Sequence, residues 1–176
     1  MNSEFTSFRL ARMSPLIFGL TLMLLALPFA FLASVAVGKS LLLVPVLLVI
    51  VIYAWVWLRF RPSAFVVRPD AIEVEWPLKR RRIPRDDIEC IRLLREGELR
   101  REVGWGARVG AGGLWGGFGW LWTSRRGIVQ MYISRRDRFV WIERKNGRPW
   151  LITPEEPEAF VRAASGSQPT DVLESV

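Results

Sequence analysis

Arg138-Phe139-Val140-Trp141-Ile142-Glu143-Arg144-Lys145-Asn146-Gly147-Arg148-Pro149-Trp150-Leu151-Ile152-Thr153-Pro154-Glu155-Glu156-Pro157-Glu158-Ala159-Phe160 is the stretch that decides the fold. Arg138 to Arg144 reads as a strand. Lys145-Asn146-Gly147 then supplies the Asn-Gly pair of a type I′ hairpin, because both residues tolerate positive φ. Pro149-Trp150-Leu151-Ile152 is the returning strand. Thr153-Pro154-Glu155-Glu156 predicts a helix start, with Thr153 as cap, Pro154 at the first helical position and Glu156 three residues after the cap. Acids in a first turn also suit the helix dipole. Phe160, Val161 and Ala164 form its expected buried face.

Period-two patterning continues upstream. Phe65-Val66-Val67-Arg68 reads as a strand and Pro69-Asp70 as a turn. Ile72-Glu73-Val74-Glu75-Trp76 alternates strictly, apolar at even positions and acidic at odd ones, as a half-buried antiparallel strand does. Pro77-Leu78-Lys79-Arg80 is expected to turn the chain into Arg81-Arg82-Ile83. Ile88-Glu89-Cys90-Ile91-Arg92-Leu93-Leu94 is a further strand of mixed period. Ile128 to Ser134 alternates, with Val129, Met131 and Ile133 on one face, and Arg135-Arg136-Asp137 turns it. Residues 165–176 hold Ser, Gly, Gln, Pro and acids, and are expected to be a disordered tail.

The first third of the chain is different. No charged residue lies between Arg12 and Lys39. The run from Ser14-Pro15-Leu16 to Val37 is long enough to cross a ~30 Å hydrocarbon core. Pro15 suits a first helical turn, and Pro28 is expected to kink the helix. After a tight turn at Gly38-Lys39-Ser40, Leu41 to Leu58 predicts a second span. It ends in Tyr53, Trp55 and Trp57, followed by Arg59 and Arg61, a set suited to the interface between lipid and water. Residues 14–61 are thus expected to form a two-span hairpin. Arg9 and Arg12 flank one end and Arg59, Arg61 and Arg68 the other, with Lys39 between the spans, which places both termini in the cytoplasm. Residues 1–13 are a cytoplasmic N-terminal segment on this reading. The alternative is a cleaved signal peptide ending at Ser34-Val35-Ala36, although the apolar run is long for one.

Composition narrows function. The 176 residues carry a net charge of +8, with a mean hydropathy of +0.20. Such basicity points to an anionic partner, nucleic acid or an anionic membrane surface. There is no histidine, which excludes Ser-His-Asp and Cys-His catalysis and the usual pH switch. The single cysteine, Cys90, makes no internal disulfide and reads as a core residue. Asp86, Asp87 and Glu89 cluster, but each sits near arginines, and ion pairing accounts for them. No enzyme activity, cofactor or metal is expected. Nucleic acid is not expected as a partner, because the aromatics are not interleaved with the arginines.

Several antiparallel strands closed by one C-terminal helix resemble a pleckstrin-homology-like (PH-like) barrel. Ile83-Pro84-Arg85-Asp86-Asp87-Ile88, the glycine-rich stretch ending Gly116-Gly117-Phe118-Gly119, and Thr153 to Phe160 resemble, in that order, the landmarks of membrane-anchored bacterial PH-like proteins, a family mostly of unknown function. The resemblance covers residues 62–164 and implies an α+β chain, a two-helix anchor followed by a PH-like antiparallel barrel or sandwich with a C-terminal helix. It implies a location at the membrane and no particular activity.

Two segments are candidate contact sites. Lys79, Arg80, Arg81 and Arg82, with Arg85, are either a solvated basic turn or a contact for lipid headgroups, each cation contributing about 1 kcal/mol near an anionic leaflet. Gly104 to Trp122 holds most of the chain's glycines and has no charge after Arg108 until Arg125. It is too short for a third span and lacks the Gly-x-Gly-x-x-Gly spacing of a phosphate loop. Either it is an exposed loop, with Trp115, Phe118, Trp120 and Trp122 as its contact surface, or it is a crossover that buries its aromatics against the barrel. The resulting expectation is a bacterial inner-membrane protein whose cytoplasmic domain binds a membrane protein or its own copies. The alternative is an anionic-lipid sensor built from the basic turn and the glycine- and tryptophan-rich segment.

Overall fold

The first strand, β1 (Thr6–Arg9), precedes the apolar helices, yet it pairs antiparallel with β2 (Ala64–Val67), which follows them. The computed structural model describes residues 5–38 and 40–166. Between those paired strands lie α1 (Pro15–Ala36) and α2 (Leu43–Arg59). Thr6–Arg9 was expected only as part of a segment ahead of the membrane. It is instead the edge of a four-stranded sheet in the order β1-β2-β3-β4, completed by β3 (Ala71–Glu75) and β4 (Arg80–Pro84).

Helix α1 starts at Pro15 and continues through Pro28. Its 22 residues span about 33 Å at about 1.5 Å per residue. Among the described residues it alone is both long and apolar enough to cross a membrane. The run expected as an unbroken span from Leu41 opens with a 3₁₀ turn, Ser40–Leu42, and leaves α2 with 17 residues. The Tyr53 hydroxyl donates to the Leu24 carbonyl at 2.6 Å and ties the helices together.

The second sheet is six-stranded. It contains β5 (Ile88–Leu94), β6 (Gly106–Gly112), β7 (Gly117–Thr123), β8 (Gly127–Ile133), β9 (Phe139–Arg144) and β10 (Trp150–Ile152). The order is β5-β9-β10-β8-β7-β6, with β8 and β10 parallel. Helix α3 (Glu96–Val103) lies between β5 and β6, and α4 (Pro157–Ser165) closes the chain. The result is an α+β sandwich of two sheets with a C-terminal helix.

Both faces of the six-stranded sheet are buried along β8, β9 and β10, and the mixed period of β5 goes with a register shift between Ile88 and Cys90. Tyr132, Val140, Ile142, Trp150 and Ile152 face the four-stranded sheet and α4. Val129, Met131, Ile133, Trp141 and Leu151 form a second core with Leu99 and Val103 of α3. In β3 the alternation holds, with Ile72, Val74 and Trp76 buried and Glu73 and Glu75 half-buried. Cys90 is half-buried, not a core residue.

The predicted start of the last helix is displaced. Pro154 bridges to Leu10 and the Glu155 amide donates to the Arg9 carbonyl, so residues 153–155 belong to the seam with β1. Pro157 is the first helical residue instead.

The Asn146-Gly147 turn is held from outside. One oxygen of Asp87 accepts from Arg144 Nε and Nη2 at 2.8 and 2.6 Å, and the other accepts from the Asn146 amide at 2.8 Å. These bonds, Arg144's first, hold the Asp87 carboxyl below its usual range. A carboxyl whose folded pKa is depressed adds stability above the ordinary carboxylate value of about 4, and that stability is lost as pH falls through the lower folded value. Between about pH 5 and pH 3, melting of the wild type is therefore expected to fall more steeply than that of Asp87→Asn. Parallel melting profiles would show that the Asp87 contacts carry no linkage.

Candidate functional site

The basic run is strand rather than turn, and the strand divides it. Val74 faces Arg81 and Ile72 faces Ile83 across the β3–β4 register, whereas Glu75 faces Arg80 and Glu73 faces Arg82. Arg80 and Arg82 therefore point away from the core. Arg80 pairs with Glu75 at 3.2 Å and Arg82 with Asp70. Arg81 shares the inward side with Ile83, and its Nη1 donates to Gln130 Oε1 at 2.8 Å. Arg85 is elsewhere. Its guanidinium donates to the carbonyls of Arg68 and Ala164, joining the β2–β3 turn to the end of α4.

Arg81 opens into a cleft of about 270 Å³ at the end of α2. Arg59 and Phe60 form the helix side, Lys79 and Arg81 the strand side, and Trp120, Gln130 and Tyr132 the far wall. Trp76 lies between them. Its Nε1 donates to the Phe60 carbonyl at 3.0 Å, its ring meets Tyr132 edge-on at 5.1 Å, and Lys79 Nζ sits 4.5 Å over that ring. The Arg81 guanidinium lies 5.4 Å over Trp150.

The cleft's charge is one-sided. No carboxylate lines it, and among the described residues none of Arg59, Lys79 and Arg81 is in an ion pair. Burial, then repulsion from Arg59 and Arg81, pushes the Lys79 ammonium below its usual pKa. Burial raises the Tyr132 phenol despite the nearby Arg81 charge, so it remains a neutral donor. Cations held close without counter-charges, beside neutral donors and aromatic walls, are chemistry that favours an anion.

The glycine- and tryptophan-rich segment is neither a loop nor a crossover. It is the β6–β7 hairpin, paired from Gly106↔Thr123 to Gly112↔Gly117. Its tip is clasped by both apolar helices. Thr21 Oγ1 of α1 accepts from the Trp115 amide at 3.0 Å and lies 3.0 Å from the Gly113 carbonyl. Trp115 meets Trp57 of α2 edge-on at 4.8 Å, and Arg61 covers the other ring at 4.2 Å.

The expected contact residues therefore separate. Phe118 is 1% exposed, a core ring rather than a surface one. Trp115 is half-buried at the helix seam. Trp120 and Trp122 share the face of Phe118 but lie outside the core cluster that covers it, and are 41% and 57% exposed. Of the interfacial anchor set, Tyr53 and Trp57 make internal contacts, Trp55 is exposed and Arg59 joins the cleft. Gln130, Tyr132 and Trp76 were not expected at a site. Their signal is present in Val129-Gln130-Met131-Tyr132, where the residues between the apolar ones have polar tips and face inward.

Residues 63–167 match the family model described as Bacterial PH domain. The chain belongs to the bacterial PH domain family. No curated protein and no solved structure matches it. PH-like domains are generally non-catalytic modules that bind lipids or proteins. In this PH domain the one-sided cleft lies beside the apolar helices, between β4, β7 and β8.

Proposed function

We propose that this protein is a membrane-anchored bacterial PH domain that holds the anionic headgroup of a membrane lipid in the cleft of Arg59, Lys79 and Arg81. The observation that carries this reading is three cations without a carboxylate, at the point where α2 joins the domain. An anionic headgroup there relieves their mutual repulsion and meets the Tyr132 hydroxyl. The protein acts as a binding module and not as an enzyme.

The strand pairing supports a two-span anchor. β1 and β2 flank the helices and are hydrogen-bonded neighbours, so the chain leaves and re-enters the domain on one side. If α1 crosses the bilayer, the chain from Ser40 to Arg59 must cross back. A 3₁₀ turn followed by 17 α-helical residues reaches about 30 Å. The same pairing favours retention of the N-terminus over cleavage after Ala36, which would remove β1. On this reading the flanking arginines favour a cytoplasmic domain with both termini on that side of the inner membrane.

The test uses the full-length protein in nanodiscs of neutral phospholipid doped with an anionic phospholipid, with retained lipid read by native mass spectrometry. Replacing Lys79 and Arg81 together by glutamine is expected to lower anionic-lipid retention about tenfold. Equal retention by wild type and double variant would sink this reading. A second reading is supported by Trp105, 77% exposed, with Trp120 and Trp122 nearby. Exposed tryptophans on one hairpin suit docking to another membrane protein or to a second copy. Cross-linking in native membranes that captures only monomers would remove that reading.

A further inference from the structure

The other face of the six-stranded sheet carries a trough unrelated to the cleft. Under α3 it has a volume of about 210 Å³. Its floor is Leu121, Met131, Ile133 and Leu151, and its roof is Leu99 and Val103. Arg108, Ile133 and Arg136 continue from there into a second hollow of about 220 Å³, walled by Leu16 and Leu20 of α1 and by Gly113 and Gly116 of the hairpin tip. Two adjoining hollows thus lie between the first turns of α1 and the underside of α3, with Arg108, Ile133 and Arg136 lining both.

Cations stand where the two hollows meet. Arg108 has no ion pair among the described residues. Arg136 donates to Glu96 at 3.0 Å, and Arg100 reaches the same carboxylate at 3.7 Å. Three arginines against one glutamate leave net positive charge over an apolar floor. An amphiphile with an anionic head and a long aliphatic tail fits both features, and the lipid leaflet is the adjacent source. α3 contributes little else to packing: in Glu96-Gly97-Glu98-Leu99-Arg100-Arg101-Glu102-Val103 only Leu99 and Val103 are apolar. Both of these roof the trough.

We infer that this trough takes one acyl chain of an anionic phospholipid from the leaflet bordering α1, with its phosphate between Arg108 and Arg136 and its other chain left in the bilayer. This inference rests on the reading that α1 lies in the bilayer. It does not require headgroup binding in the cleft of Arg59, Lys79 and Arg81. The two sites lie on opposite faces of the six-stranded sheet and draw on different residues.

The experiment uses the full-length protein in nanodiscs containing either anionic phosphatidylglycerol or neutral phosphatidylcholine, each with a photoactivatable diazirine near the chain end. Labelled peptides are mapped by mass spectrometry. The expected result is labelling of residues 96–103 and 117–133 in addition to the apolar helices, stronger for the anionic lipid. Arg108→Gln is expected to lower the trough labelling about fivefold and leave helix labelling unchanged. Leu99→Trp, which fills the trough, is expected to abolish it with the same helix labelling. Labelling confined to residues 15–59 would overturn the inference while leaving the anchor in place. No labelling on the helices either would overturn the anchor and, with it, the trough. Equal trough labelling in wild type and both variants would show that the chain end meets those peptides from outside the trough, and would also overturn it.

Discussion

Phe160→Ala is expected to destabilise the PH domain by about 3–5 kcal/mol, a large share of the ~5–15 kcal/mol that typically keeps a domain folded. Phe160 is fully buried on α4. Its ring meets Phe8 of β1 edge-on at 5.3 Å and Phe65 of β2 at 6.4 Å. The helix itself rests on β2, β5 and β9. The cavity left by alanine is walled by separate elements, each fixed by its own hydrogen bonds, so collapse into it is incomplete and the cost sits high in the usual range. Denaturant unfolding of the full-length protein in detergent, followed by tryptophan fluorescence, should show a lower midpoint with an unchanged slope. Val161→Ala, at a half-buried position on the same helix, is the smaller control. A loss below about 1 kcal/mol for Phe160→Ala would mean that α4 does not seat on the sandwich as described.

Gly110→Val is expected to cost on the order of 3 kcal/mol or more, and to release the hairpin tip from the apolar helices. Gly110 faces Gly119 across the β6–β7 register, and both have φ values typical of glycine, +138° and +132°. A Cβ at Gly110 would meet Gly119 Cα at 3.0 Å and press on the Phe118 carbonyl. Backbone atoms cannot swing away as a flexible side chain does, so the strands must separate. Two effects add: strain of about 1–3 kcal/mol at an unfavourable φ, and overpacking of about 1–3 kcal/mol. Gly112→Ala in the same hairpin has ordinary φ and open space around it. That change should stay within about 0.5 kcal/mol. Limited proteolysis at Arg108 and Arg125 gives the second readout, with faster cutting expected only for the valine variant. Equal proteolysis and melting of the two variants would contradict the close strand approach.

The strands with ordinary patterning were legible from the sequence. β3 declares itself through alternating acids, β9 and β10 through the Asn-Gly turn, and β8 through Val129, Met131 and Ile133. The β6–β7 hairpin was not, because glycine has no side chain with which to show a period of two. Its register emerges only from backbone pairing across the tip. β1 was hidden for another reason. Thr6-Ser7-Phe8-Arg9 has one large apolar residue, and its partner strand lies beyond both apolar helices. α3 contributes only two apolar residues to a core, too few for an amphipathic signal.

The candidate site was partly legible. The basic run was visible, but its division was not. Ile83 fixes the inward parity of β4, and counting back two residues reaches Arg81. That step requires reading Arg80 to Pro84 as a strand, and a run of arginines argues against it by composition. Whether Phe118 is buried or exposed stayed open for the complementary reason. It shares a face with Trp120 and Trp122, and the core packed against that face, not the sequence of β7, decides which of the three is covered.

The pairing of β1 with β2 also sets an order of events during synthesis. β1 leaves the ribosome ahead of both apolar helices, and its partner follows only after they have been made. Until then Phe8 has no Phe65 opposite it, and the ring of Phe160 follows only when α4 is made. An open strand edge is a template for aggregation. On the proposed two-span anchor, the domain completes its sheet only when both helices have been inserted and β1 and β2 meet on one side. On the same reading, a chain with a stalled or inverted helix is left with β1 and β2 apart and an unpaired edge on the four-stranded sheet.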